Sequence, residues 1–182
     1  GGFGLSTQDL ENSIIKGNVI SGNGQSGVRT LTGGNVDLND NLINNNSGYG
    51  LDLFGNRNSE YNQNRIIGNL NHGVNLDAGY YPVFRRNLIS YNGGSGVNIG
   101  RTQGGHFLDN TITNNSGDGI DCGSHRSYIV IIGNNISHNT DEGVFIDRSY
   151  TGDPLTGVNI SGNYITSNDN GVEFDHVEDS WV

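Results

Sequence analysis

The stretch NNSGDGIDCGSH, residues 114–125, sets Asp118, Asp121 and His125 among glycines. One repeat later, TDEGVFI places Asp141 beside Glu142. Neighbouring carboxyls can divide acid and base work, because crowded like charges raise one pKa and leave the other group ionised. Flanking a sugar, such a pair can hydrolyse a glycosidic bond. Lyase or epimerase chemistry on a uronate needs a base and, in addition, a cation to neutralise the carboxylate. Asp118, Asp141 and Glu142 are therefore the catalytic candidates. Asp121, Asn98, Arg101, His125 and Asp147 are the substrate-binding candidates, with Arg148 at the border. The competing reading is that the acids are solvated turn residues of an acidic scaffold.

Positioning these residues falls to a repeat. Asn recurs at 18, 41, 64, 87, 110, 134 and 163, and again five residues on at 23, 46, 69, 92, 115, 139 and 168. Gly follows at 27, 50, 73, 96, 119, 143 and 171. Apolar residues fill the intervals at period two, the strand signature: Ile20 to Ile165, Val28 to Val172, Thr30 to Phe174, and Ile15 to Ile160 each form a column. Each repeat thus reads as three short strands joined by turns, at which Asn and Gly accept left-handed backbone. One repeat cannot bury its own inward face, whereas stacked repeats can. The expected fold is all-β: a right-handed parallel β-helix of about seven rungs with a 23-residue period, spaced by about 4.8 Å. A leucine-rich horseshoe has a similar period but a Leu pattern and helices that this chain lacks. Each Asn column becomes a ladder. Cys122, inward between Ile99 and Ile146, reads as a small buried hydrophobe.

Stacking also sets Asp118 one rung from Asp141 and Glu142, with carboxyls expected roughly 5–8 Å apart from that spacing. His72 lies two rungs away in the same pre-Gly column, too far to cooperate. Arg85, Arg86 and His106 form a basic spot elsewhere. Tyr49, Tyr80, Tyr81, Tyr91, Tyr128 and Tyr150 are placed in turns or on outer faces, where rings can stack on sugars. The insertion from Asp147 to Gly157 is the one loop long enough to wall a groove.

Composition narrows the partners. The chain has 182 residues, 29 Asn, 30 Gly, one Cys and a net charge of −10. That field opposes nucleic acid, and no basic aromatic patch offsets it. No segment is apolar for long enough to insert in a membrane as a helix. A lone cysteine allows no internal disulfide. Met is absent even at residue 1, which predicts a single β-helix domain over 1–182 belonging to a longer or processed protein. No cofactor is implied with certainty. Ca²⁺ is the ion that paired carboxylates could hold, although no EF-hand loop or nonapeptide calcium repeat occurs.

The columns, in the form GVNL…NLISYNGGSGVNI, resemble the right-handed parallel β-helix repeats of the pectin-lyase-like superfamily, including NosD-like and polysaccharide-epimerase proteins. The resemblance covers 11–175. SGDGID and TDEGVFI also resemble, in part, the paired acidic segments of polygalacturonases. The rung after them carries DNG, with Asn170 where that family has His, and no R-I-K segment follows. The resemblance implies an extracellular or cell-surface module that binds or processes a polysaccharide or surface glycan on an outward acidic face, by hydrolase, lyase or epimerase chemistry. The alternative is a structural or adhesive solenoid of a cell surface, sheath or phage fibre. Its open strand edges would favour end-to-end or lateral self-association.

Overall fold

The computed structural model describes residues 1–123, 127–147 and 156–175. His125, Arg148, Tyr150, most of the 147–157 insertion and the C-terminal EDSWV lie outside them. The described residues form 20 strands, and every strand pair is parallel. The chain coils, and each turn lays three segments on three faces. Ile89 pairs with Ile66 below and Ile112 above, so residues one period apart are vertical neighbours.

The first face includes Leu51–Arg57, Val74–Asp77, Val97–Ile99, Ile120–Cys122, Val144–Ile146 and Val172–Phe174. The second includes Glu60–Asn62, Val83–Arg85, Gln103–Leu108, Ser127–Ile132 and Asn159–Ser161. The third is a seven-stranded sheet from Val19–Ser21 to Tyr164–Thr166. Its first and last strands are separated by six turns of chain, one fewer than the seven rungs suggested by counting Asn columns. A second departure lies in the early rungs. Leu5–Lys16 and Val28–Asn39 run unbroken round the first corner, so the first and second faces join in one 13-stranded sheet. Left-handed residues such as Thr32, Gly33 and Asn35 make the bend without ending the hydrogen-bonded ladder.

The core is the set of inward columns. Leu38, Tyr61, Phe84, Phe107 and Ile131 are buried one above another. The rings of Tyr61, Phe84 and Phe107 stack with centroids 4.4 and 5.2 Å apart. Cys122 is fully buried in its column, and burial pushes its thiol pKa up.

The Asn ladders bind the turns together. Asn87 donates from its main-chain N to Asn110 Oδ1 at 2.9 Å and from Nδ2 to Tyr61 O at 2.7 Å. Its own Oδ1 accepts from Asn64 N and Nδ2, at 2.9 and 3.1 Å. The second ladder repeats the pattern through Asn92. Each amide thus satisfies turn groups that water cannot reach. The Gly column follows from the same packing. At Gly119 a Cβ would lie 2.4 Å from Ile136 Cγ2 and 2.5 Å from Gly143 O, so no side chain fits.

Candidate functional site

Just before the Gly column the chain turns onto the first face, and one side chain per rung stands in a vertical row, buried at Ser26 and Ser95, half-buried at Tyr49, His72, Asp118 and Glu142, and exposed at Asn170. In successive rungs this row carries Ser26, Tyr49, His72, Ser95, Asp118, Glu142 and Asn170. Its members are linked. Tyr49 N donates to Ser26 Oγ at 3.2 Å, and the Tyr49 and His72 rings stack at 5.7 Å. His72 Nδ1 accepts from Ser95 N at 2.9 Å, and Ser95 Oγ donates to Asp118 Oδ2 at 3.5 Å. Glu142 N donates to Asp118 Oδ1 at 3.1 Å, and Asn170 Nδ2 donates to Glu142 Oε1 at 3.2 Å.

Asp118 and Glu142 also meet through their carboxyls, which lie within hydrogen-bonding reach of each other. This is closer than the expected 5–8 Å, because the Glu142 amide draws the Asp118 carboxyl onto the next turn. Burial, the hydrogen bond with Glu142 and the charge of Asp121 push the Asp118 pKa up to about 7. The Glu142 pKa is lowered, chiefly by the same hydrogen bond. The pair therefore holds one proton near neutrality. Asp121 lies on strand Ile120–Cys122, and burial raises its pKa, with the charges of Asp147 and Glu142 adding to the effect.

Of the other candidates, Asp141 is exposed, and its main chain ties it to the rungs on either side. Asn98 pairs in register with Asp121 and donates to Asn75 Oδ1 at 2.9 Å. Asn75 in turn donates to Asp52, so amides and a carboxylate form an outward ladder. Arg101 is held by Asp77 through Nε and Nη2, at 3.2 and 2.8 Å, which lowers the Asp77 pKa. Asp147, at the end of its strand, raises the Asp121 pKa by its charge. His125 lies outside the described residues.

Sequence reasoning missed Ser95, and with it the link from His72 to the acids. The signal was available: Ser95 occupies the same pre-Gly column between them. Burial lowers the His72 pKa, and the N–H of Ser95 requires an unprotonated Nδ1 on that ring. Among the described residues no three His, Cys, Asp or Glu side chains gather as a metal site. A concavity of about 380 Å³ opens at the last rung, but ladder and core residues such as Asn163, Ile160 and Val172 line it, not the acids. No helix among the described residues is long and apolar enough to cross a membrane.

The fold has known counterparts. The structure is similar to that of a threonine-to-asparagine variant of the periplasmic alginate epimerase AlgG, with a TM-score of 0.84 and 17% identity over 98% of this chain and 47% of that one. It is similar to unsubstituted AlgG with a TM-score of 0.76 and 18% identity over 99% of this chain and 48% of that one. The chain therefore spans about half the length of these structures. No curated protein matches it. The family model described as "Right handed beta helix region" matches residues 1–135 and 72–179. With most of its length so matched, the chain belongs to the right-handed β-helix family.

Proposed function

We propose that the chain is an extracellular carbohydrate-associated β-helix whose working surface is the outward row of the first face. The observation that carries this reading is the Asp118–Glu142 pair, two carboxyls sharing a proton near neutrality on that row. Ionised Glu142 accepts a proton, and protonated Asp118 supplies one. Carboxyls in mutual contact act on one site. That suits activation of a water or hydroxyl better than flanking a glycosidic bond, which requires about 5 Å or more between them. Asp121, Asn98, Arg101, His125 and Asp147 are assigned to substrate contact, and exposed Asp141 to the rim. The cations described on this face, Arg29, Arg57 and Arg101, are each ion-paired, so a neutral glycan suits the row better than a polyuronate. The likeness to AlgG supports a glycan partner and an extracytoplasmic site of action.

The test is a screen of the purified chain against neutral galactans and glucans, polygalacturonate and alginate, read by binding, reducing ends and unsaturated products. The expected result is binding or turnover of a neutral glycan that is lost in both Asp118→Asn and Glu142→Gln. Turnover should fall as pH rises through about 7, where Asp118 loses its proton. A second reading, a structural or adhesive solenoid, is favoured by the unbroken Asn ladders and near-constant rung length. It prevails if no glycan binds and electron microscopy shows the chain in filaments or sheets.

A further inference from the structure

Three guanidinium groups stand apart from the other positive charges among the described residues. Lys16, Arg29, Arg57 and Arg101 each face a carboxylate, at 3.3, 3.6, 3.8 and 2.8 Å. Arg65, Arg85 and Arg86 make no ion pair among the described residues, and they lie together at the corner between the second and third faces. Arg85 ends strand Val83–Arg85 and sits above Asn62. Arg86 follows it at the apex of the corner, one rung above Gln63. Arg65 opens strand Arg65–Ile67, two residues past Gln63. The three thus fall within one rung height, roughly 4.8 Å, and they fan around one edge. Arg65 and Arg86 are exposed and Arg85 is half-exposed.

Neighbouring acids are engaged elsewhere. Asp40 pairs with Lys16. Glu60 accepts from Asn62 Nδ2 at 3.0 Å. Asp109, directly above Arg86, turns its carboxylate toward the next rung, where a Cβ on Gly133 would lie 2.6 Å from Oδ1. Arg86 also keeps a left-handed backbone, with φ of 55°, at a position that other rungs fill with Gly17, Asp40, Gln63, Asp109, Gly133 or Gly162. Gly and Asp adopt that conformation more readily than Arg.

We infer that Arg65, Arg85 and Arg86 form a binding site for the carboxylate or sulfate groups of an anionic polysaccharide, separate from the acidic row. Guanidinium groups offer forked donors matched to such groups. Charges on the rest of the acidic surface are screened beyond about 8 Å at physiological salt, so a local cluster can hold an anionic stretch of polymer. The choice of a glycan rests on the proposed function; the anion preference rests on the corner alone.

The test measures binding of labelled oligogalacturonate and dextran sulfate to the whole chain, with neutral galactan as the comparison. The variants are Arg65→Gln, Arg85→Gln, Arg86→Gly and their triple combination. Gly occupies the Arg86 column in three other rungs at φ of 64 to 71°, so that change keeps the backbone. Expected are salt-sensitive binding of an anionic probe, a loss of at least about tenfold in the triple variant, and no loss in Asp118→Asn. The inference is overturned if the wild type ignores both anionic probes or if the triple variant binds them unchanged. Preference for anionic vesicles or nucleic acid over both would overturn the glycan assignment. If galactan still binds the acidic row while the anionic probes do not bind, this inference alone falls. If no glycan binds anywhere, the proposed function falls with it.

Discussion

The inner ladder through Asn87 and the outer row through Asp118 share one spacing and obey opposite rules. Inside, every rung repeats Asn, because each amide must both accept from the rung below and donate to the one above. Outside, the row reads Ser26, Tyr49, His72, Ser95, Asp118, Glu142 and Asn170, with scarcely a residue used twice. Those side chains also touch their vertical neighbours, but no buried group depends on their being the same. Period alone therefore does not mark function. Variation within a column that the backbone holds in register does.

This contrast can be broken at several points. Phe84→Ala should have the largest effect, about 3–5 kcal/mol of stability, because it empties the middle of a stacked column; urea denaturation measures it. Asn87→Ala should cost somewhat less, about 2–4 kcal/mol, since it strands the Asn64 amide and the Tyr61 carbonyl without partners. A loss below about 0.5 kcal/mol there would mean that the ladder is decoration.

Asp118→Asn should act through pH. The folded pKa of Asp118 lies above its unfolded value, so its protonated form favours the fold and that stability declines as pH rises from about 4 to about 7. Glu142 works in the opposite sense: its lowered pKa contributes stability that is lost as pH falls through its folded value. Removing Asp118 should therefore flatten the decline between pH 4 and 7 in denaturation midpoints. An unchanged slope would show that Asp118 titrates as an ordinary surface acid. The smallest effect belongs to Asp141→Asn, within about 0.5 kcal/mol of the parent, as expected for an exposed residue.

The coil was legible in the sequence because its signals are obligatory. A Cβ at Gly119 has no room, and an Asn at 87 has no substitute that both accepts and donates across the rungs. The vertical register of Ile89 with Ile112 followed at once. The rounded corners of the first two rungs were not legible, since Thr32 and Asn35 adopt left-handed backbone without a glycine-only signature. At the candidate site, the repeat spacing identified the neighbours of Asp118 but not the direction of its carboxyl. The contact with Glu142 depends on a main-chain amide turning toward it, which spacing does not encode. The isolation of Arg65, Arg85 and Arg86 was hidden for a similar reason. Which cations find a carboxylate is decided by rotamers, and only the folded chain shows that Asp109 leans away.

The most direct test of the central claim is a carbon-13 NMR titration of the Asp118 and Glu142 side-chain carboxyls in the intact chain. The account predicts one carboxyl titrating near pH 7 and the other below the usual glutamate range, with the high value falling toward normal in Glu142→Gln. Two independent titrations near pH 4, unaffected by that substitution, would contradict it.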